Sequence, residues 1–144
     1  MTPTAAPLFL AADVGGTRAR FLLARWRGPE ADSPWEPLSQ RVFADDDFPH
    51  FDAALDAFLA ECPPGAEPKL AVIALAGPVA GRRARLTNRP WTIDADALAA
   101  HHGWPRVELM NDFAAQAYGL ATAPPETLHV LQKGEHRPGL AAVL

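Results

Sequence analysis

Two short stretches carry residue types and spacings that could do chemistry. The first is Asp13-Val14-Gly15-Gly16-Thr17, set between two apolar runs. Paired glycines allow a tight turn and let backbone N–H groups approach a phosphate without side-chain obstruction. A carboxylate such as Asp13 at a strand end suits the water shell of Mg²⁺, which takes few carboxylates and several waters. The hydroxyl of Thr17 adds a donor. Read by itself, the same stretch is also a plain Gly-Gly hairpin turn with Asp13 in solvent. The second stretch is Asn111-Asp112, where a strand meets a helix. A carboxylate there can accept the proton of an alcohol nucleophile and orient it, while the adjacent amide bonds a second hydroxyl. Asn and Asp are equally the preferred helix N-cap residues, so capping is the competing explanation.

Other polar clusters point to less. Thr87-Asn88-Arg89-Pro90-Trp91 could line a sugar site, with Trp91 otherwise a packing aromatic. His101-His102 at a helix end suits the helix dipole or simple exposure better than metal ligation. Arg82, Arg83 and Arg85 form a solvated face. The phosphate motifs G-x-x-x-x-G-K-[ST] and G-x-G-x-x-G are both absent.

The elements that position these residues follow from periodicity. Residues 8–14 and 19–26 are strand-like runs joined at Gly15-Gly16, the pattern of a β-hairpin. A turn-rich stretch, 28–37, precedes a third strand at 38–43. Apolar residues then fall at Phe51, Leu55, Phe58 and Leu59, the spacing of a helix face. Asp45-Asp46-Asp47 is expected to cap that helix, and Pro63-Pro64-Gly65 to stop it. Residues 70–76 are apolar throughout, as in a strand covered on both faces. A small hairpin-like stretch, 82–88, leads to Trp91. Asp94 caps a short helix to about His102. A strand at 106–110 meets Asn111-Asp112, and a helix follows to Leu120 with Phe113, Ala117 and Leu120 inward. The order β-β-β-α-β-α-β-α predicts an α/β fold with a mixed sheet.

Composition narrows the class. The 144 residues are 49% hydrophobic and 21% charged, ordinary for one globular domain. A net charge of −4 argues against nucleic acid, which usually meets a basic face. The single cysteine, Cys62, excludes an intramolecular disulfide and a Cys-based zinc cluster. No apolar run approaches the roughly 18 residues needed to span a bilayer. The N-terminal residues lack the basic region of a signal peptide, so a cytoplasmic location and no membrane contact are expected. Gly139 to Leu144 is expected to open a further buried strand.

These stretches occur together in a recognisable order. Asp13-Val-Gly-Gly-Thr17-Arg-Ala-Arg20, Ala76-Gly-Pro-Val79, Leu86-Thr-Asn88 followed by Trp91, and Val107-Glu-Leu-Met-Asn111-Asp112-Phe113 resemble the bacterial glucokinase family over residues 8–121. The resemblance implies a ribonuclease H-like domain of the sugar kinase/actin/heat-shock chaperone fold. It implies that the loop Ala12, Asp13, Val14, Gly15, Gly16 and Thr17 binds ATP phosphates, with Mg²⁺ held through water by Asp13. It implies Asp112 as the base for the glucose 6-hydroxyl, and Asn111, Asp112 and Asn88 as sugar contacts. The products would be glucose 6-phosphate and ADP. The chain carries Arg18 where the family usually has asparagine.

The family also continues into a second domain that completes the nucleotide and sugar sites. The expectation is therefore that residues 1–144 form the N-terminal domain alone, half of a cleft and inactive by itself. Its uncovered apolar face would favour a homodimer or looser self-association. Two rival readings differ in class: a non-catalytic sugar sensor on the same fold, and an actin-like assembly module. The pairing of Asp13 with Asp112 favours the kinase, because a sensor needs no base.

Overall fold

The computed structural model describes residues 6–135 and 138–139. The strand expected from Gly139 onward falls on residues 140–144, outside the described residues, as do residues 1–5. Among the described residues no helix is long and apolar enough to cross a membrane.

A five-stranded mixed sheet organises the chain. Strands β1 (Leu8–Val14), β2 (Arg18–Trp26) and β3 (Trp35–Ala44) form an antiparallel meander. Strand β4 (Pro68–Leu75) then pairs parallel to β1, and a later strand, Val107–Asn111, pairs parallel to β4. Helix α1 (Phe51–Ala60) connects β3 to β4. After β4 come three short antiparallel strands, β5 (Val79–Ala80), β6 (Arg83–Arg85) and β7 (Thr92–Asp94), which form a separate small sheet. Helix α2 (Ala95–His102), β8 (Val107–Asn111) and α3 (Asp112–Thr122) complete the order. The main sheet is ordered β3-β2-β1-β4-β8, so the expected β-β-β-α-β-α-β-α succession stands, with the small sheet inserted.

One face of the main sheet carries the core. Period-2 alternation sends Leu10, Ala12 and Val14 of β1 inward with Phe21 and Leu23 of β2 and Ile73 and Leu75 of β4. Helix α1 answers with Phe51, Ala54, Leu55 and Phe58, all fully buried. Phe21 stacks on Phe58 at 5.3 Å between ring centroids. Each such Val, Leu, Ile or Phe side chain contributes about 1.5–3 kcal/mol relative to exposure. Trp91 and Ile93 seal the cluster from the small sheet and Leu98 from α2.

Four expectations are corrected. Strand β3 runs from Trp35 to Ala44, beyond 38–43, because it pairs along the whole of β2. The aspartate triplet does not cap α1. It forms a 3₁₀ turn in which Asp45 is buried, and His50 caps the helix by accepting the Ala53 N–H at Nδ1. Strand β4 is covered unevenly: Ala71, Ile73 and Leu75 face the core, while on the other face Ala74 is buried but Leu70 and Val72 stay partly exposed. In α3 no residue is buried, and Phe113 and Leu120 are 54% and 50% exposed. Its apolar stripe exists, but among the described residues only Ala117 of the three is partly covered. Asp94 caps α2 as expected, accepting the N–H groups of Asp96 and Ala97.

The small sheet turns back over the main one at Gly77. A Cβ added there would lie 2.2 Å from the Arg85 carbonyl oxygen, so two backbone segments touch where only glycine fits. Gly77→Ala should therefore destabilise the chain by about 2 kcal/mol, in the range for overpacking. Gly119→Ala, on the open side of α3, should raise stability by up to about 1 kcal/mol through helix propensity alone. Urea unfolding midpoints of the two variants check both signs.

Candidate functional site

Three parallel strands end at one level. Val14 of β1 pairs with Leu75 of β4, and Leu75 pairs with Asn111 of β8. The loops that follow therefore emerge side by side at the strand C-terminal edge, where open α/β sheets bind ligands. There Asn88, Asn111 and Asp112, with Gly77 and Thr87, line a cavity of about 660 Å³.

Asn111 is held from both ends of its amide. Its Oδ1 accepts the Phe113 N–H at 2.9 Å, capping α3, and its Nδ2 donates to the Gly77 carbonyl at 3.3 Å. Capping and site-lining are thus one arrangement, not alternatives: the cap fixes the amide at the cavity wall. Asp112 sits in the first helical turn, where the helix dipole favours its negative charge. Its Oδ1 accepts the Phe113 N–H at 2.9 Å, and among the described residues Oδ2 has no partner.

The glycine loop borders this cavity. A Cβ on Gly16 would lie 3.1 Å from Asn88 Nδ2, so the missing side chain lets the loop rest against the Asn88 amide. The Gly15 N–H donates to the Arg18 carbonyl at 2.9 Å and closes the hairpin turn. Ala12 and Val14 point their side chains into the core, leaving only backbone at the surface, and Thr17 is exposed. Asp13 does not line the cavity that holds Asn88, Asn111 and Asp112. It lines a neighbouring groove with Arg20, Gln40 and Ala74, and its Oδ2 lies 2.8 Å from Arg20 Nη1. Three of the expected sugar residues are brought together, whereas Asp13 stands beside them.

Arg89, expected only as part of a stretch that could line a sugar site, makes contacts that the sequence did not indicate. Its Nε donates to the Gly16 carbonyl at 3.2 Å and lies 3.5 Å from Asp45 Oδ2, and its Nη2 bonds Asp46. The guanidinium also sits 5.5 Å over the Trp91 ring. Asp45 is fully buried, and neither carboxylate oxygen has a hydrogen bond among the described residues. Burial pushes its carboxyl above the ordinary value, and the Arg89 charge pulls it partly back. Arg89 thus ties the glycine loop, the 3₁₀ turn and the small sheet into one unit. Its place in the Thr87–Trp91 stretch was the available signal.

Comparison with known proteins decides the family. The glucokinase family model matches residues 10–144. The chain belongs to the glucokinase family. A glucokinase of Nostoc sp. (strain PCC 7120) is 34% identical over 131 residues, covering 91% of this chain and 37% of the relative. A glucokinase of Stenotrophomonas maltophilia (strain K279a) is 41% identical over 117 residues, covering 81% and 33%. The fold matches a solved glucokinase from an Antarctic psychrotroph with a TM-score of 0.76 and 28% identity, over 90% of this chain and 40% of that one. A ROK family glucokinase from Streptomyces griseus, solved with glucose and AMPPNP, matches with a TM-score of 0.55 and 25% identity, over 78% and 35%. The chain spans between a third and two-fifths of the length of these glucokinases, and its main sheet is the mixed sheet of their N-terminal part.

Arg89→Ala should cost about 3 kcal/mol at pH 7, the range for removing one partner of a buried ion pair. A buried carboxyl with a raised folded value binds its proton more tightly folded than unfolded. Its stabilising contribution is therefore present at low pH and lost as pH rises through that folded value. The deficit of the variant should be smaller at an acid pH, where Asp45 has taken up its proton, than at pH 7. Denaturant midpoints at both pH values measure it, and an equal deficit at each would assign the effect to the Gly16 contact alone.

Proposed function

We propose that this chain forms the N-terminal half of a glucokinase cleft, which transfers the γ-phosphoryl group of ATP to the 6-hydroxyl of glucose. The convergence of Asn88, Asn111 and Asp112 on one cavity bordered by the Gly15-Gly16 loop carries this reading. The likeness to a relative solved with glucose and AMPPNP supports it.

Phosphoryl transfer proceeds through a loose transition state, so catalysis is mostly positioning and charge neutralisation. Asp112, fixed through Oδ1 by the Phe113 N–H, offers Oδ2 to the 6-hydroxyl and accepts its proton as the oxygen attacks. The Asn111 and Asn88 amides hold neighbouring sugar hydroxyls. Within the glycine loop the Gly15 N–H closes the turn, and the N–H groups that follow it would meet the phosphates. Asp13 is half-exposed and keeps Oδ1 clear of its Arg20 pair, which suits one carboxylate contacting Mg²⁺ through its water shell. Such an ion supplies charge neutralisation at the transferring group.

The cavity is shallow and open, and the isolated chain is proposed to bind glucose weakly and to turn over none. A coupled glucose/ATP assay on a sample of verified intact mass tests this. Joined to the remainder of a full-length relative, the chain should phosphorylate glucose, and Asp112→Asn should cut turnover at least ~10²-fold with glucose affinity retained. Near-normal turnover in that variant would remove Asp112 from the role of base. Glucose binding with no turnover in the completed protein would favour a sensor.

Part of the sheet face opposite the core is apolar, with Phe9, Ala11, Leu22, Trp35, Leu70 and Val72 lining a groove of about 440 Å³. Two copies of the isolated chain are proposed to associate through it, since contiguous apolar surface of this kind favours burial. Light scattering should show a dimer at about 100 µM that Trp35→Glu converts to monomer. A monomer at every concentration would rule this association out.

A further inference from the structure

Helices α1 and α2 approach each other where Asp56 meets the end of α2, which brings together residues 46 positions apart in the sequence. Asp56, on the exposed side of α1, lies beside His101 and His102 at the end of α2. One ligand-capable atom from each of the three lies within 4.8 Å of the other two. His102 Nε2 is 3.8 Å from Asp56 Oδ1, too far for a hydrogen bond. That nitrogen is buried and has no partner among the described residues, an arrangement that native structures rarely leave unexplained. The His102 ring does not turn freely, because it stacks on Trp104 with 4.4 Å between centroids and 18° between planes. Asp52, one turn before Asp56 on the same helix face, lines a cavity of about 470 Å³ with Asp56 and His101.

We propose that Asp56, His101 and His102 form a binding site for a divalent transition metal ion of the zinc class, clamping α1 to α2. Two imidazoles and a carboxylate are a donor set for Zn²⁺ and its neighbours, whereas Mg²⁺ and Ca²⁺ take oxygen ligands. Two ligands of a tetrahedral zinc at about 2.0–2.1 Å from the ion stand roughly 3.4 Å apart. The His102–Asp56 pair therefore closes by less than half an ångström, and the exposed His101 and Asp56 side chains can swing to meet the ion. Three protein ligands leave a fourth position for water or for Asp52. The site lies between the two helices, apart from the cavity of Asn88, Asn111 and Asp112, and does not depend on the proposed reaction.

The test uses the tag-free chain after treatment with chelator, titrated with Zn²⁺ by calorimetry. One ion per chain should bind with a dissociation constant in the micromolar range or below. Asp56→Asn and His101→Ala should each weaken it at least ~10-fold, and His129→Ala should leave it unchanged. His102 is packed against Trp104, so the two exposed ligands carry the test, with circular dichroism verifying their fold. Co²⁺ in place of Zn²⁺ should develop intense visible absorption in the wild type and lose it in both variants. Zinc should raise the melting temperature of the wild type and of His129→Ala by more than that of either ligand variant. Absence of saturable binding below about 1 mM, or equal affinity in wild type and both variants, would overturn the site.

Discussion

The parallel register of β1, β4 and β8 is the constraint from which the candidate site follows. Val14, Leu75 and Asn111 stand in one row across three strands, so three loops far apart in sequence leave the sheet at the same height. Side chains alternate between faces along a strand, and a slip of one residue would reverse them all. Such a slip in β1 would turn Asp13 into the core and Val14 out of it. Core packing and site geometry are therefore one condition. The same alternation that buries Leu10, Ala12 and Val14 keeps Asp13 at the surface.

The small sheet completes what the register begins. It leaves the main sheet at Gly77, where backbone meets backbone, and returns with Asn88 and Arg89 against the glycine loop. Arg89 is one of the polar links that hold the two sheets together. A cation there also compensates the buried Asp45, which would otherwise be a charge without a counter-charge. The glycine loop is thereby held from two sides: by Val14, whose carbonyl accepts the Ala76 N–H, and by the guanidinium.

Local rules made much of this visible in the residues. Gly15-Gly16 between two apolar runs announced the hairpin, the spacing of Phe51, Leu55, Phe58 and Leu59 announced α1, and Asp94 announced the start of α2. Asn111-Asp112 marked a strand–helix junction, and the pair both opens α3 and lines the cavity. What remained hidden depends on tertiary neighbours. Three successive aspartates look like solvent-loving caps, and nothing local tells that Asp45 is buried beside an arginine 44 residues later. Nor does any pattern within α1 or α2 disclose that Asp56 meets His102. The stripe Phe113, Ala117, Leu120 is helical in period, but periodicity names a face without naming what covers it.

The sheet order also imposes a sequence of events on a chain that emerges from its N-terminus. Strands β1, β2 and β3 are joined by short connections and can pair as soon as they are made, since closing a short loop is fast. The central strand β1 must then keep its other edge free until β4 arrives, more than fifty residues later. During that interval an apolar strand edge stands exposed, the kind of template that recruits wrong partners. Helix α1 is made in the gap between them. By packing Phe51, Leu55 and Phe58 onto Phe21 it can shield the hairpin before its parallel partner exists. Assembly of the site edge comes last, when Arg89 and finally Asn111 have been synthesised.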